Sequence, residues 1–333
     1  MWRTGAVVVA LALAAGAAGA AGGCSGDGDG GDAGDDGRPS TSATGGATTT
    51  TPPPPGAADL CADAAQAPDP PTVASTALTE VSGLAASRRH PDLLWAHNDS
   101  GGEPEVVAMG RDGSDRGRFP LGGAEAFDWE DMAIGPAPAG GAGDVLYLGD
   151  IGDNIDQRDD GVVVYRVPEP EPGAAGSVAA PLGGVEALTL TYADGPRNAE
   201  ALLADPVTGD LYILDKMMGG DPQSSWRVPA GTPPGVPTTI ERAGPVNVPP
   251  GEIVTGGDVS ADGSVVAVRT YEAVYLWPRD PGQTVADVLA GEPCEAPTAF
   301  EPQGEAVAID PDGRGYTTVS EGEHPPIHTA RVG

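Results

Sequence analysis

The sequence predicts an all-β protein built as a β-propeller, and three observations lead to this prediction. The chain of 333 residues contains 51 glycines and 35 prolines, a proportion that favours many turns and few long helices. Short apolar runs recur between these turns, and none has a sustained helical period. Five segments also repeat one pattern, in which a small or acidic residue precedes a short apolar run and a turn.

The five repeats define the predicted blades. Their segments are VSGLAAS (81–87), WEDMAIGP (129–136), AEALLADPVTG (199–209), GGDVSADG (256–263) and GEAVAIDPDG (304–313). We align them on Leu84, Met132, Leu202, Val259 and Val307, which are spaced by 48, 70, 57 and 48 residues. A four-stranded blade takes about 40–50 residues, so the spacing predicts five or six blades. The last repeat lacks an outer strand, which residues 71–78 could supply to close the ring.

The first 24 residues have the order of an export signal. Arg3 supplies a positive charge, an uncharged apolar stretch follows, and small residues lead to Cys24. The last four residues, Ala21-Gly22-Gly23-Cys24, resemble a bacterial lipobox, whose cysteine becomes the lipidated first residue of the mature protein. Ordinary cleavage that leaves Cys24 unmodified, or an uncleaved membrane anchor, are the alternatives. The predicted location is extracytoplasmic, either lipid-anchored at the cell membrane or secreted.

A disordered tether is predicted over residues 25–58, because Gly, Asp, Ser, Thr and Pro dominate there and offer no core. The propeller then occupies residues 59–333. Cys61 and Cys294 are the only cysteines besides Cys24. Export would expose them to an oxidising compartment, so we expect a disulfide between them, with two buried thiols as the alternative.

The charge of the chain limits its partners. Its 49 acidic and 17 basic residues give a formal net charge of −32. Nucleic acid is therefore not an expected partner, since a phosphate backbone would repel such a chain. We expect a protein, a glycan or a small molecule instead, with membrane contact through the lipid anchor alone.

Seven motifs taken together are similar to those of a secreted, propeller-like family of actinobacterial proteins. They are SGLAAS, HNDSG, DWEDMA, GDIGDN, GPRNAEALL, QGEAVAI and SEGE, and the resemblance covers about residues 78–323. The family has no settled activity, so the resemblance implies a fold and export and assigns no catalytic residue.

Polar residues at equivalent places in the repeats predict a site at the centre of the ring. Two residues before the aligned apolar positions stand Ser82, Glu130, Glu200, Gly257 and Glu305. Equivalent inner-strand residues of a propeller converge on its axis, so we expect the glutamates and Asp258 to meet at one mouth of the channel. The next strands end in His97-Asn98-Asp99, Asp150 with Asp153-Asn154, Asp215-Lys216, Arg269-Thr270 and Ser320-Glu321.

Carboxylates this close together would raise each other's pKa values or bind a cation, and oxygen-rich surroundings favour Ca²⁺. The predicted metal ligands are Asp99, Glu130, Asp150, Asp153 and Asn154. The predicted ligand-binding residues are His97, Asn98, Glu200, Lys216, Arg269 and Glu305. The alternative is that the Asp and Asn side chains only close turns by accepting hydrogen bonds from the backbone.

Two classes of function fit these features. We expect a surface-tethered binding module for a protein or another ligand, with a cation site at the channel mouth. The alternative is a metal-dependent hydrolase of the phosphoesterase, lactonase or glycosidase type, in which paired carboxylates act as acid and base. Binding is favoured because the sequence has no GxSxG, Walker, CxxC or HExxH motif. A propeller fold hosts both classes, so whether the protein is an enzyme stays open.

Overall fold

The computed structural model describes residues 54–138, 141–154, 158, 161–217 and 222–333. The predicted signal, Cys24 and residues 25–53 of the predicted tether lie outside these residues. The described chain is all-β, with two short helices, α1 (Ala57–Asp63) and α2 (Val285–Leu289). Helix α1 begins two residues before the predicted start of the propeller at residue 59. In the described part of the chain, neither helix has the length and apolarity to cross a bilayer.

Most strands fall into antiparallel runs of four, as the repeats predict. The first unit contains β2 (Val81–Ala86), β3 (Leu93–Asn98), β4 (Glu105–Gly110) and β5 (Asp115–Pro120). The second contains β6 (Trp129–Pro136), β7 (Asp144–Asp150), β8 (Val162–Pro168) and β9 (Glu186–Tyr192). The third contains β10 (Ala199–Ala204), β11 (Leu211–Asp215), β12 (Gln223–Val228) and β13 (Thr238–Val246). The fourth contains β14 (Val254–Val259), β15 (Val265–Thr270), β16 (Val274–Pro278) and β17 (Cys294–Ala296).

The last unit combines the two ends of the described chain. It contains β18 (Gly304–Ile309), β19 (Gly315–Ser320), β20 (Ile327–Arg331) and, as its outer strand, β1 (Ala65–Gln66). The predicted outer strand at residues 71–78 is therefore wrong in position, although the N-terminal part of the chain does supply the strand. Of residues 71–78, Thr72 makes an isolated bridge to Pro326. The second and third units are also joined, because β9 and β13 pair in parallel at their edges.

The first strands of the five units form a cycle of contacts. Strand β2 contacts β6, β6 contacts β10, β10 contacts β14, β14 contacts β18, and β18 contacts β2. Apolar clusters fill the spaces between neighbouring units; Trp95, Phe119 and Trp129, for example, pack between the first and second. The inner strands are covered on both faces, so every residue of β2 and β10, for example, is buried. The predicted β-propeller-like fold is confirmed.

The predicted pairing of Cys61 with Cys294 is also confirmed. The disulfide joins α1 to β17, the outer strand of the fourth unit, across a sequence separation of 233 residues. Ala57 and Leu60 of α1 are fully buried in the apolar cluster between the fourth and last units. The disulfide thus fixes the segment that leads into β1, at the place where the two ends of the chain meet.

Candidate acidic site at the centre of the ring

Every inner strand carries a β-bulge near its beginning, and the bulges mark equivalent positions. The register shifts where one extra residue interrupts the pairing of each inner strand with the second strand of its unit. The bulged residues are Ser82, Glu130 (with Asp131), Glu200, Thr255 and Glu305. Four of these match the sequence alignment, which placed Gly257 rather than Thr255 in the fourth repeat.

The fourth repeat was misaligned by two residues. Gly257 lies two residues after its bulge, as Leu202 does in the third unit. Their backbone amides donate to the same carboxylate oxygen, Oδ2 of Asp131, at 3.0 and 2.9 Å. A glycine at the position where the other repeats have an apolar side chain hid this equivalence, and Val259 was aligned in its place.

Asp258 consequently does not join the glutamates, contrary to our expectation. Its carboxylate accepts the amides of Val259 at 2.7 Å and Ile309 at 2.8 Å. Burial raises its pKa to about 6 and these amides oppose the rise, while no glutamate of the bulges contributes. Asp258 and the fully buried Asp131 each bind backbone amides of a neighbouring inner strand, so they hold the inner strands together.

Two of the five bulged side chains are neutral and bind backbone. The hydroxyl of Ser82 donates to the carbonyl of Glu130, and the hydroxyl of Thr255 donates to that of Gly304 at 2.9 Å. Each hydroxyl therefore ties one inner strand to the next. The carboxyls of Glu130, Glu200 and Glu305 are left, and burial together with the neighbouring Glu200 raises the pKa of Glu130.

A cluster of three carboxylates surrounds Glu130. Single carboxylate oxygens of Asp99, Asp128 and Glu130 lie within 4.8 Å of one another, close enough to share one ion. Asp128 and Glu130 are 5% and 2% exposed, whereas Asp99 is half-buried and faces solvent. We call Asp99, Asp128, Glu130, Glu200 and Glu305 the acidic mouth.

Two buried oxygens of the acidic mouth have no hydrogen-bond partner within the described residues. They are Oε1 of Glu130 and Oε2 of Glu305, and both side chains are at most 3% exposed. A buried carboxylate oxygen without a donor is costly, so the arrangement calls for a proton or a cation. The absence of a side chain at Gly152 leaves space beside Oε1 of Glu130 for a cation. A Cβ built at Gly152 would overlap Oε1 of Glu130 and lie 2.5 Å from Oδ2 of Asp128.

The pKa values of the acidic mouth are raised. Burial and the neighbouring Glu200 raise the pKa of Glu305 to about 9. Burial raises the pKa of Glu200 to about 7, although Lys216 opposes the rise. Lys216, the only lysine of the chain, donates to Oε1 of Glu200 at 2.5 Å, and its ammonium lies 5.5 Å from the ring of Tyr271. At neutral pH Glu305 therefore holds a proton, while Lys216 opposes the rise in the pKa of Glu200.

Two polar residues at the ends of the second strands, Asn98 and Asp150, hold loops. Asn98 accepts the amides of Thr79 and Glu80 at 3.0 and 3.1 Å and donates to the carbonyl of Ala77. In the same way Asp150 accepts the amides of Phe127 and Asp128, in the loop before β6. For Asn98 and Asp150 the geometry therefore matches the turn-closing alternative.

Two predicted ligand-binding residues, His97 and Arg269, are buried outside the acidic mouth. His97 packs beneath Gly83, edge-on to Trp129 at 5.2 Å, and its Nδ1 donates to the carbonyl of Asn98 at 2.9 Å. Burial lowers the pKa of His97 to about 4, so the imidazole is neutral. Arg269 packs in the same way beneath Gly304 and donates to Glu301 at 3.0 Å. Each side chain fills the space beneath its glycine, where a Cβ would clash with it.

The remaining predicted metal ligands surround the cluster. Asp150 pairs with Arg158, and Oδ2 of Asp153 accepts the amide of Arg158 at 3.3 Å. Oδ1 of Asn154 accepts the side-chain amide of Asn198 at 2.9 Å. The three-carboxylate cluster thus contains Asp99 and Glu130 from the predicted set and a residue that the sequence analysis missed.

That residue is Asp128, and a signal for it was present. Asp128 lies in the loop before β6, so strand alternation does not apply to it, and its closeness in sequence to Glu130 is the signal. Asp128 is two residues before Glu130 in the DWEDMA motif. Asp150 then holds its backbone amide at 3.0 Å, which fixes the start of β6 against the end of β7.

Comparisons with known proteins found similarity to solved structures, and to no family model or curated protein. A chain of a nidogen/laminin complex is 14% identical with a TM-score of 0.42, and 72% of each chain is covered. The PQQ-bound aldose sugar dehydrogenase of Streptomyces coelicolor is 12% identical with a TM-score of 0.43, covering 84% of this chain and 99% of that one. A putative glucose dehydrogenase of Thermus thermophilus is 13% identical with a TM-score of 0.43, covering 80% and 99%. Similarity at this level carries no function to this chain.

Proposed function

We propose that the protein is a five-bladed β-propeller that binds a ligand through a Ca²⁺ ion held at the acidic mouth. The five four-stranded units and the cycle of contacts among their first strands support five blades. The observation that carries the cation site is the buried, unpartnered Oε1 of Glu130 beside the carboxylates of Asp99 and Asp128. Burial and the neighbouring Glu200 raise the pKa of Glu130, and a bound cation would offset this cost of ionising it.

Calcium fits this donor set better than a softer metal. All three side chains offer hard carboxylate oxygens, and Ca²⁺ takes 6–8 such ligands. Three carboxylates provide at most six oxygens, so a seven- or eight-coordinate ion, or one held by single carboxylate oxygens, leaves positions for water or a ligand. Asp99 is half-buried, and the ion would therefore be reached from solvent on its side. His97 has no part in the proposed site because its ring is buried beneath Gly83.

An extracytoplasmic location belongs to the same proposal. The disulfide between Cys61 and Cys294 is compatible with an oxidising compartment. Export through the N-terminal signal and lipidation at Cys24 would tether the propeller at the membrane, and membership of the secreted actinobacterial family would agree with this arrangement.

Calorimetric titration of Ca²⁺ into chelator-treated protein tests the proposal. We expect one ion per chain, and at 100 times its dissociation constant the ion should stabilise the fold by about 2.7 kcal/mol. Asp128→Asn should weaken binding at least tenfold, whereas Asp280→Asn, which changes an exposed carboxylate, should not. No heat of binding and no shift in melting temperature with Ca²⁺ or chelator would refute the proposal.

A glycine variant tests the geometry without removing a carboxylate. Gly152→Ala places a methyl group against Glu130 and Asp128, so it should weaken Ca²⁺ binding. Gly183→Ala is the matched control, because a Cβ at Gly183 meets no atom within 4 Å. Equal Ca²⁺ affinities for the two variants would show that the ion does not lie between Glu130 and Asp128.

A further inference from the structure

The electrostatics of the acidic mouth restrict the ligand that a bound Ca²⁺ could recruit. Three carboxylates, those of Asp99, Asp128 and Glu130, exceed the charge of one Ca²⁺ by one unit. Glu200 and Lys216 form a pair 2.5 Å apart, so the lysine has no excess charge to offer. The loaded site therefore stays negative and repels an anionic ligand, even though Ca²⁺ alone would attract one.

More carboxyls lie around the cluster and strengthen this exclusion. Glu321 and Glu80 interact electrostatically with Asp99. A group that completes the coordination of the ion must therefore be compatible with a negative site. Neutral oxygen donors, such as hydroxyl groups, meet that requirement and suit a hard cation.

An exposed aromatic residue is the chain neighbour of the cluster residue Asp128. Phe127 precedes Asp128, and its side chain is 48% exposed although the chain has only three phenylalanines. The guanidinium of Arg158 lies 5.0 Å from its ring centroid, and the amide of Phe127 donates to Asp150 at 3.4 Å. The contact with Arg158 holds the ring in place, and about half of the residue faces solvent. An exposed aromatic ring of this kind can serve as a contact surface for a ligand.

We propose that the acidic mouth binds a neutral carbohydrate, whose adjacent hydroxyls complete the coordination of Ca²⁺ while its apolar face packs on Phe127. This inference rests on the proposed function, since the hydroxyls need the ion. No bond of the sugar is made or broken in this interaction.

Saturation-transfer NMR with a panel of neutral monosaccharides tests it. Galactose, glucose and mannose should be examined with the full-length protein in Ca²⁺ and again in chelator. We expect binding of at least one sugar that disappears with chelator. Galacturonate, which differs from galactose in one carboxylate, should bind more weakly than galactose because of the negative site.

Two variants separate the sugar contact from the ion. Phe127→Ala should weaken sugar binding by roughly three- to tenfold, the worth of one aromatic contact, and leave the Ca²⁺ affinity unchanged. Val207→Ala removes an exposed apolar side chain in the turn after β10 and is the control. Calorimetric Ca²⁺ binding with no response to any neutral sugar, or with tighter binding of galacturonate, would overturn the carbohydrate inference alone. Absence of Ca²⁺ binding would overturn the proposed function itself.

Discussion

Removal of the disulfide should cost a large part of the stability of the fold. In the chain-entropy model, the cross-link stabilises by restricting the unfolded chain, and the effect grows with the logarithm of the closed loop. The separation of 233 residues between Cys61 and Cys294 gives about 5 kcal/mol at 25 °C. Because small domains are stable by only about 5–15 kcal/mol, the loss would be easily measured.

The double variant Cys61→Ala, Cys294→Ala should therefore unfold at a much lower urea concentration than the oxidised protein. Hydrogen exchange should also quicken first where the N-terminal segment meets β20, for instance at the amide of Ala67, which donates to Thr329 at 2.9 Å. Amides of β10 and β11 serve as the internal reference. If the double variant lowered the free energy of unfolding by less than about 1 kcal/mol and left the hydrogen exchange of the Ala67 amide unchanged, the reasoning would be refuted.

Three further predictions concern titration and anchoring. In chelator, the free energy of unfolding should fall as pH rises from 7 to 9. Burial raises the pKa of Glu305 to about 9, well above that of an ordinary glutamate, so the folded state binds more protons than the unfolded state in this window; urea unfolding with no fall would contradict this. The imidazole of His97 should show no charge change between pH 5 and 8 by NMR, because burial lowers its pKa to about 4; a midpoint near 6.5 would place it in solvent. A palmitate analogue should label the wild type in its native host and not Cys24→Ala, and equal labelling would exclude the lipid anchor.

The general form of the fold could be predicted from the sequence because its signals are local. Short apolar runs bounded by Gly, Pro, Asp and Asn indicated the strands, and their repetition indicated the units. The outer strand of the last unit was misplaced because Ala65–Gln66 is two residues long and leaves no periodic pattern. The disulfide was predicted correctly because only two cysteines follow Cys24 in the sequence. The helices α1 and α2, of seven and five residues, are too short to show a helical period.

The site was predicted less well, since its geometry depends on bulges and on side-chain direction. A bulge shifts the register by one residue, and the glycine at 257 concealed that shift in the fourth unit. The sequence also cannot show that Asn98 turns back to the amides of Thr79 and Glu80 while Asp99 faces Asp128. Neighbouring polar residues of one strand end thus have different roles. Alignment did identify Glu130, Glu200 and Glu305, because all three occupy true bulge positions.

The position of a bound ion tests the central claim most directly. Crystals grown with Ca²⁺ should give a long-wavelength anomalous difference peak among the carboxylates of Asp99, Asp128 and Glu130. Oxygens of all three should lie about 2.3–2.6 Å from the peak, as is usual for Ca²⁺. Crystals of Gly152→Ala grown in the same way should show a weaker peak or none. A fully occupied Ca²⁺ elsewhere on the molecule, with these three carboxylates left without a peak, would contradict the account.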